Sequence, residues 1–168
     1  MPESVLGLPL HPLVVHAVVV FVPLAALFVG LAAVLPRFRR WARWMPLAFA
    51  AGAFVATPVA ASSGESLQAK VMSENLTPSQ IDVINQHVTL GNLLVPWSIA
   101  LFVIAAAMYW IDWKQPSWPA LAVKSLPSLA VVAALGSIVM LGIIGHSGAS
   151  AVWTQVQALP SAPGYGDG

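Results

Sequence analysis

Four long stretches of the chain contain no charged residue, and short polar segments separate them. Within each stretch the apolar residues form a continuous block instead of alternating with polar ones. A transmembrane helix needs about 20 apolar residues to cross the hydrocarbon, and it satisfies its backbone polar groups internally. The pattern therefore predicts four transmembrane helices, at about 10–35, 45–61, 87–110 and 126–146.

The segments outside these spans are short, so we expect one domain covering residues 1–168. Residues 62–86 form a predicted external loop. Within it Thr77-Pro78-Ser79-Gln80 has the sequence of a capping box with proline at the first helical position. This box predicts that the third helix begins near Pro78 and extends outside the membrane. The proline- and glycine-rich end, 160–168, is predicted to be disordered.

Composition identifies the solvent of these helices. The 168 residues are 58% hydrophobic and 8% charged, with a mean hydropathy of +0.82. A soluble domain has about 25% charged residues, so lipid is the expected environment. No basic patch interleaved with aromatic residues is present, and we expect no nucleic-acid partner. The chain has no cysteine, which excludes disulfides, thiolate metal sites and thiol nucleophiles.

The distribution of positive charge predicts the orientation. Six of the seven Lys and Arg residues fall on one side of the predicted spans. The positive-inside rule makes that side cytoplasmic, so both termini are expected outside the cytoplasmic membrane of a bacterium. The six residues are Arg37, Arg39, Arg40, Arg43, Lys114 and Lys124, and the predicted aromatic belt beside them comprises Trp41, Trp44, Trp110, Trp113 and Trp118.

Landmarks in the first two spans recur in the last two. Because spans one and three run in the same direction, such a recurrence predicts a parallel repeat with a pseudo-two-fold axis along the membrane normal. The expected fold is an all-α, integral membrane four-helix up-down bundle built from a two-helix internal repeat. The recurring landmarks are His16 with His87, Pro23 with Pro96, and ASSGES at 61–66 with GHSGAS at 145–150.

All four histidines fall on the predicted outer side. Ionisable residues at membrane depth are costly and mark a functional site by default. His16 and His87 are the best candidate pair because the repeat relates them, and His11 and His146 are weaker candidates. His11 and His16 are five positions apart, so their side chains point about 140° apart on an ideal helix. They cannot easily bind one ion together.

Two imidazoles at equal depth across an axis fit the axial ligands of haem b. The favoured hypothesis is a small membrane b-type cytochrome, in which His16 and His87 bind the haem iron and a quinol or redox protein exchanges electrons with it. His146 is a possible further metal ligand. An electron-transfer or binding protein is expected more than a stand-alone enzyme, because no hydrolase arrangement is recognisable.

Non-redox alternatives stay open. The histidines, with Glu65, could bind a Zn or Cu ion, or they could respond to pH because imidazole titrates in the physiological range. The protein could also be a scaffold subunit of a membrane complex or a homo-oligomer.

The run GLPLHPLVVH, from Gly7 to His16, resembles the opening motif G-x-P-x-H-P-x-x-V-H of a bacterial family of four-helix inner-membrane proteins. That family is catalogued as a domain of unknown function. The resemblance covers nearly the whole chain, and it implies the four-helix fold. The further family motifs are approximated by Ser63-Gly64-Glu65, by the segment from His87 to Asn92, and by the glycine-rich segment 142–148.

Some members of this family are fused to Rieske domains, which implies an electron-transfer setting. The resemblance carries over His11, His16 and His87 as candidate functional residues. His146 stands where the family more often has small residues. Ala17-Val18 replaces the usual Phe-Pro, so packing after His16 is expected to differ.

Overall fold

The computed structural model describes residues 4–5, 7–114 and 119–157. Before the first helix, two short strands pair antiparallel, and Gly7 between them has a φ of 81°, which glycine adopts without steric cost. The elements of the described chain are β1 (Ser4–Val5), β2 (Leu8–Pro9), α1 (Leu10–Val34), α2 (Pro36–Ala42), α3 (Met45–Val71), α4 (Pro78–Lys114) and α5 (Ala120–Gln157).

The helices α1, α3, α4 and α5 are each long and apolar enough to cross a membrane. This confirms the predicted four-helix membrane fold. The helices extend past the predicted spans, since α3 continues to Val71 and α5 to Gln157. Most of the predicted external loop is therefore helical. The predicted disordered tail, 160–168, and Trp118 of the predicted belt lie outside the described residues.

The predicted capping box at the start of α4 is present. The backbone N–H of Thr77 donates to Gln80 Oε1 at 2.9 Å, and the backbone N–H of Gln80 donates to Thr77 Oγ1 at 3.4 Å. Pro78 occupies the first helical position, where a missing N–H costs nothing. The helix therefore begins where the sequence predicts.

The four long helices form a square in cross-section. Helices α1 and α4 each pack against both α3 and α5. Helices α1 and α4 therefore lie diagonally opposite each other. The start of α1 meets the end of α3, where His11 contacts Ala60. Arg39, just after α1, contacts Asp112 near the end of α4. The bundle is therefore up-down, with a histidine end (His11 and His87) and an arginine end (Arg39, Arg40 and Arg43).

Small side chains dominate the core, so the helices approach closely. The buried positions recur every three or four residues, which is the seam pattern of left-handed helix packing. In lipid this close contact replaces the hydrophobic effect as the source of association between helices. The buried residues of α1 are Val18, Val22, Ala25, Ala26, Val29 and Ala32.

The burial pattern repeats between the two halves of the chain. Five of the buried positions of α1 recur in α4 at a separation of 76 residues, and positions of α3 recur in α5 at 84. The matched positions are Val18 with Leu94, Val22 with Ser98, Ala25 with Leu101, Val29 with Ala105, Ala32 with Met108, Ala50 with Ala134, Ala53 with Ser137, and Ser63 with Ser147.

The predicted repeat is therefore present, but the register of α1 on α4 differs from the predicted one. At a separation of 76 residues His87 matches His11, and not His16. The predicted register treats Pro23 and Pro96 as equivalent, but these prolines are 73 residues apart and do not fit the separation of 76. A proline inside a transmembrane helix removes one backbone hydrogen bond, which membrane proteins tolerate. Its position therefore does not identify the residues that pack in the core.

Two glycines are required by aromatic rings that lie on them. A Cβ on Gly52 would be 2.5 Å from Cδ1 of Phe21, and a Cβ on Gly136 would clash with the indole of Trp97. These pairs follow the same separations of 76 and 84 residues. The repeat therefore extends from burial to individual contacts between helices.

Candidate functional site

One layer at the histidine end brings together two histidines and two glycines, one from each long helix. His11 and His87 come from the diagonal helices α1 and α4, and Gly64 and Gly148 from α3 and α5. The two imidazole ring centres are 6.4 Å apart, and the ring planes are nearly perpendicular at 81°. Both histidines are half-buried. We call these four residues the histidine layer.

The core pattern explains why these two histidines point inward. His11 lies seven residues before the buried Val18, and His87 lies seven residues before the buried Leu94. Seven residues make about two helical turns, so each histidine continues a buried row. His16 is five positions beyond His11, which rotates it about 140° away from that row.

A backbone carbonyl fixes the tautomer of His11. Its Nδ1 is 3.0 Å from the carbonyl oxygen of Ala60, which can only accept. Nδ1 therefore carries the proton, and in the neutral ring Nε2 has the free lone pair. The hydroxyl of Ser63 donates to the same carbonyl at 3.0 Å, so Ala60 O accepts two side-chain hydrogen bonds.

A serine favours the same tautomer in His87. The hydroxyl of Ser147 donates its hydrogen to the carbonyl of Ile144 at 2.9 Å. Its oxygen is therefore an acceptor for His87 Nδ1, 3.0 Å away. The Nδ1–H of His87 donates, and Nε2 holds the lone pair. The serine–glycine step that supports each ring is visible in the sequence as the Ser-Gly dipeptide shared by 61–66 and 145–150.

Each imidazole ring packs against one of the two glycines. A Cβ on Gly64 would be 3.0 Å from Cε1 of His11, and a Cβ on Gly148 would be 2.9 Å from Cε1 of His87. Each ring thus lies directly against the backbone of the neighbouring helix. A hydrogen bond and a packing contact together restrict the orientation of each imidazole, which is the arrangement that preorganises a binding site.

The other two histidines lie outside the histidine layer. His16 is exposed, and its Nδ1 donates to the carbonyl of Pro12 in its own helix at 2.6 Å. His146 is also exposed, one residue before Ser147. The ring beside His87 is therefore that of His11 and not that of His16, the partner that the sequence favoured.

Polar side chains continue from this layer along the contact between α3 and α4. Asn92 donates to Glu65 at 2.9 Å, and Gln68 donates to Asn85 at 2.7 Å. Within the described residues, no three His, Asp or Glu side chains are grouped closely enough to hold a metal ion. Glu65 is thus engaged with the side-chain amide of Asn92.

A family model described as "Predicted membrane protein (DUF2231)" matches residues 7–158. The match contains every residue of the histidine layer and both supporting serines. The chain belongs to this family. No curated protein and no solved structure matches the chain. The DUF2231 description establishes a membrane protein, in agreement with the four apolar helices, and it assigns no activity.

Proposed function

We propose that this DUF2231 protein is a small membrane b-type cytochrome that binds haem through His11 and His87. The observation that carries the proposal is that the Nδ1 atom of each ring lies at hydrogen-bond distance from a group on the adjacent helix. Each donates its Nδ1–H to the adjacent helix, to Ala60 O or Ser147 Oγ. Histidines that bind metals donate their other ring N–H in this way, which directs the Nε2 lone pair to the ion.

The separation of the rings supports an ion between them. Two imidazoles bound to opposite sides of one metal, with metal–nitrogen distances of about 2 Å, hold their ring centres roughly 6 Å apart. The ring centres of His11 and His87 are 6.4 Å apart.

The number of donors favours haem over a bare ion. A structural zinc site takes four protein ligands and a catalytic one takes three. Among the described residues the histidine layer offers two nitrogens. Haem b needs only two axial ligands from the protein, because the porphyrin supplies the other four nitrogens. Bound haem would supply one-electron oxidation and reduction.

The chain's own residues would position and tune that group. Ala60 O and Ser147 Oγ keep the Nδ1 protons in place and strengthen the imidazoles as donors. Gly64 and Gly148 set the rotation of each ring through backbone contact. The half-buried layer limits access of water to the ligand nitrogens, which affects the reduction potential.

We also infer the direction in which the protein faces. The arginine end carries most of the positive charge and is assigned to the cytoplasm, so the histidine layer lies near the external surface of a bacterial cytoplasmic membrane. A haem there is accessible to an external redox protein or to a quinol in the outer half of the bilayer.

The test is the visible spectrum of the protein purified after expression with added haem precursor. We expect a Soret band that is lost in His11→Ala and in His87→Ala. His16→Ala and His146→Ala are the matched controls, and both should keep the band. A colourless wild-type protein refutes the proposal. Loss of the band in His16→Ala with retention in His11→Ala refutes the pairing of His11 with His87.

The same preparation tests the non-redox alternatives. A metal-ion protein would contain stoichiometric Zn or Cu by elemental analysis and no Soret band. A pH-responsive module would contain neither, and its unfolding temperature would change through the range in which imidazole titrates.

A further inference from the structure

A cleft of about 900 Å³ lies at the arginine end, on the opposite side of the bundle from the histidine layer. It is bordered by the short helix α2, by the end of α4 and by the start of α5. The lining residues that matter here are Arg39, Arg40, Arg43, Tyr109, Asp112 and Trp113.

One of these arginines is neutralised inside the protein. Arg39 makes a two-pronged ion pair with Asp112, with Nε 2.6 Å from Oδ2 and the second nitrogen 2.7 Å from Oδ1. The same guanidinium donates to the carbonyl of Met108 at 3.3 Å. This contact fixes α2 against α4 and removes the one acidic charge among the lining residues.

Arg40 and Arg43 keep the cleft positive. In the described part of the chain, no hydrogen bond or ion pair occupies either guanidinium. Arg43 also has a φ of 34° and a ψ of −88°, at the turn from α2 into α3. A positive φ is unfavourable for a residue with a side chain, and such strain concentrates at functional positions.

Tryptophans place this cleft at the level of the lipid headgroups. Trp41, Trp44, Trp110 and Trp113 surround the arginine end, and each is between 47% and 69% exposed. In membrane proteins tryptophans at the ends of the spans lie in the interfacial region. The two unpaired arginines are therefore presented at the depth of the phosphate groups of the surrounding lipids.

We propose that this cleft is a binding site for an anionic phospholipid, with its phosphate between Arg40 and Arg43. Guanidinium groups bind phosphate oxygens with paired, charge-assisted hydrogen bonds. Basic pockets between transmembrane helices at the cytoplasmic face suit anionic headgroups. Tyr109 and Trp113 provide apolar wall for the glycerol and upper acyl region. This proposal is independent of haem binding, because the two sites lie at opposite ends of the bundle.

The test measures lipid affinity of the full-length protein in detergent micelles, with phosphatidylglycerol and phosphatidylcholine as probes. We expect phosphatidylglycerol to bind at least tenfold more tightly, and the difference to shrink at high salt. Arg40→Gln and Arg43→Gln should each weaken phosphatidylglycerol about fivefold, since each basic residue near an anionic surface contributes about that factor.

Arg37→Gln is the matched control, because Arg37 is an exposed arginine of α2 that does not line the cleft. It should change the affinity less than twofold. Equal binding of the two lipids by the wild-type protein overturns the proposal even if the variants fail to fold. Equal losses in all three variants overturn it too. Displacement of the lipid by millimolar inorganic phosphate would show a site for soluble anions, and not for lipid.

Discussion

The contact between His87 and Gly148 gives a sharp test of the histidine layer. In Gly148→Ala the added Cβ would lie 2.9 Å from Cε1 and 3.4 Å from Nδ1 of His87. Nonbonded carbon atoms prefer about 3.5–4.0 Å, so the imidazole has to move roughly half an ångström away from α5. Its hydrogen-bond partner Ser147 is also on α5, at 3.0 Å. The movement therefore stretches that bond beyond its favourable range of about 2.7–3.2 Å.

Three terms decide the size of the effect. Over-packing a close contact costs about 1–3 kcal/mol, and weakening the hydrogen bond costs up to about 1 kcal/mol. Alanine is favoured over glycine inside a helix by about 1 kcal/mol, which opposes both losses. Taken together, these terms predict that Gly148→Ala lowers the free energy of unfolding by up to about 3 kcal/mol. If haem is bound, its affinity should fall about tenfold, because the His87 ring that would hold it is displaced.

Gly145→Ala is the control for helix propensity. Gly145 is on the same helix, and an added Cβ there has no atom within 4 Å. It should raise the free energy of unfolding by up to about 1 kcal/mol. The assay is reversible unfolding in mixed micelles, together with haem titration of each variant. If Gly148→Ala is as stable as Gly145→Ala and binds haem equally, the proposed ring contact does not constrain His87, and our reasoning about the layer is wrong.

Three further predictions concern the serines of the histidine layer, a glycine under an indole ring, and the ion pair of Arg39. Ser147→Ala should lower the free energy of unfolding by about 1 kcal/mol, because His87 loses its acceptor. Ser63→Ala should have a smaller effect, because His11 still donates to a carbonyl. Thermal unfolding compares the two variants. Gly136→Ala should destabilise the protein, because the added Cβ would clash with the indole of Trp97. Gly142→Ala should not, since no atom lies within 4 Å of the added Cβ. Equal melting temperatures of the two variants would contradict this prediction. Arg39→Gln should lower stability by no more than about 1 kcal/mol, as the ion pair is partly exposed, and high salt should reduce that loss.

The sequence was sufficient for the four spans and for the start of α4. Both follow from local rules: the length of apolar blocks, and a box of four residues in which Thr77 and Gln80 cap each other. The short helix α2 was not predicted. It begins at Pro36 and carries the arginine cluster, and the contact of its Arg39 with Asp112 joins residues that are far apart in the sequence.

The composition of the histidine layer was harder to predict, although the needed pattern was in the sequence. The seven-residue step from His11 to Val18 matches the step from His87 to Leu94. Most residues in the membrane-spanning parts of these helices are apolar, however, so hydropathy does not distinguish the side that faces the core from the side that faces lipid. The order of histidine and proline in the two helices therefore predicts the pairing of His16 with His87, whereas the buried positions pair His87 with His11.

The supporting groups depend on geometry that no linear pattern reveals. The acceptor for His11 is the main-chain oxygen of Ala60, and any residue could supply it. The role of Ser147 was recognisable only as half of a repeated Ser-Gly dipeptide. The Ser147 hydroxyl donates its proton to the carbonyl of Ile144. Its oxygen can therefore accept from Nδ1 of His87.

Each histidine is supported by the second helix of its own hairpin, and this has a consequence for the ancestry and the redesign of the chain. His11 is supported entirely by α3, and His87 entirely by α5, so each helical hairpin carries its own half of the layer. Two copies of one hairpin, related by the pseudo-two-fold axis, would recreate all four positions. The present chain thus has the organisation of a fused homodimer, and a single hairpin with one histidine and one Ser-Gly step is the smallest unit from which the layer can be assembled.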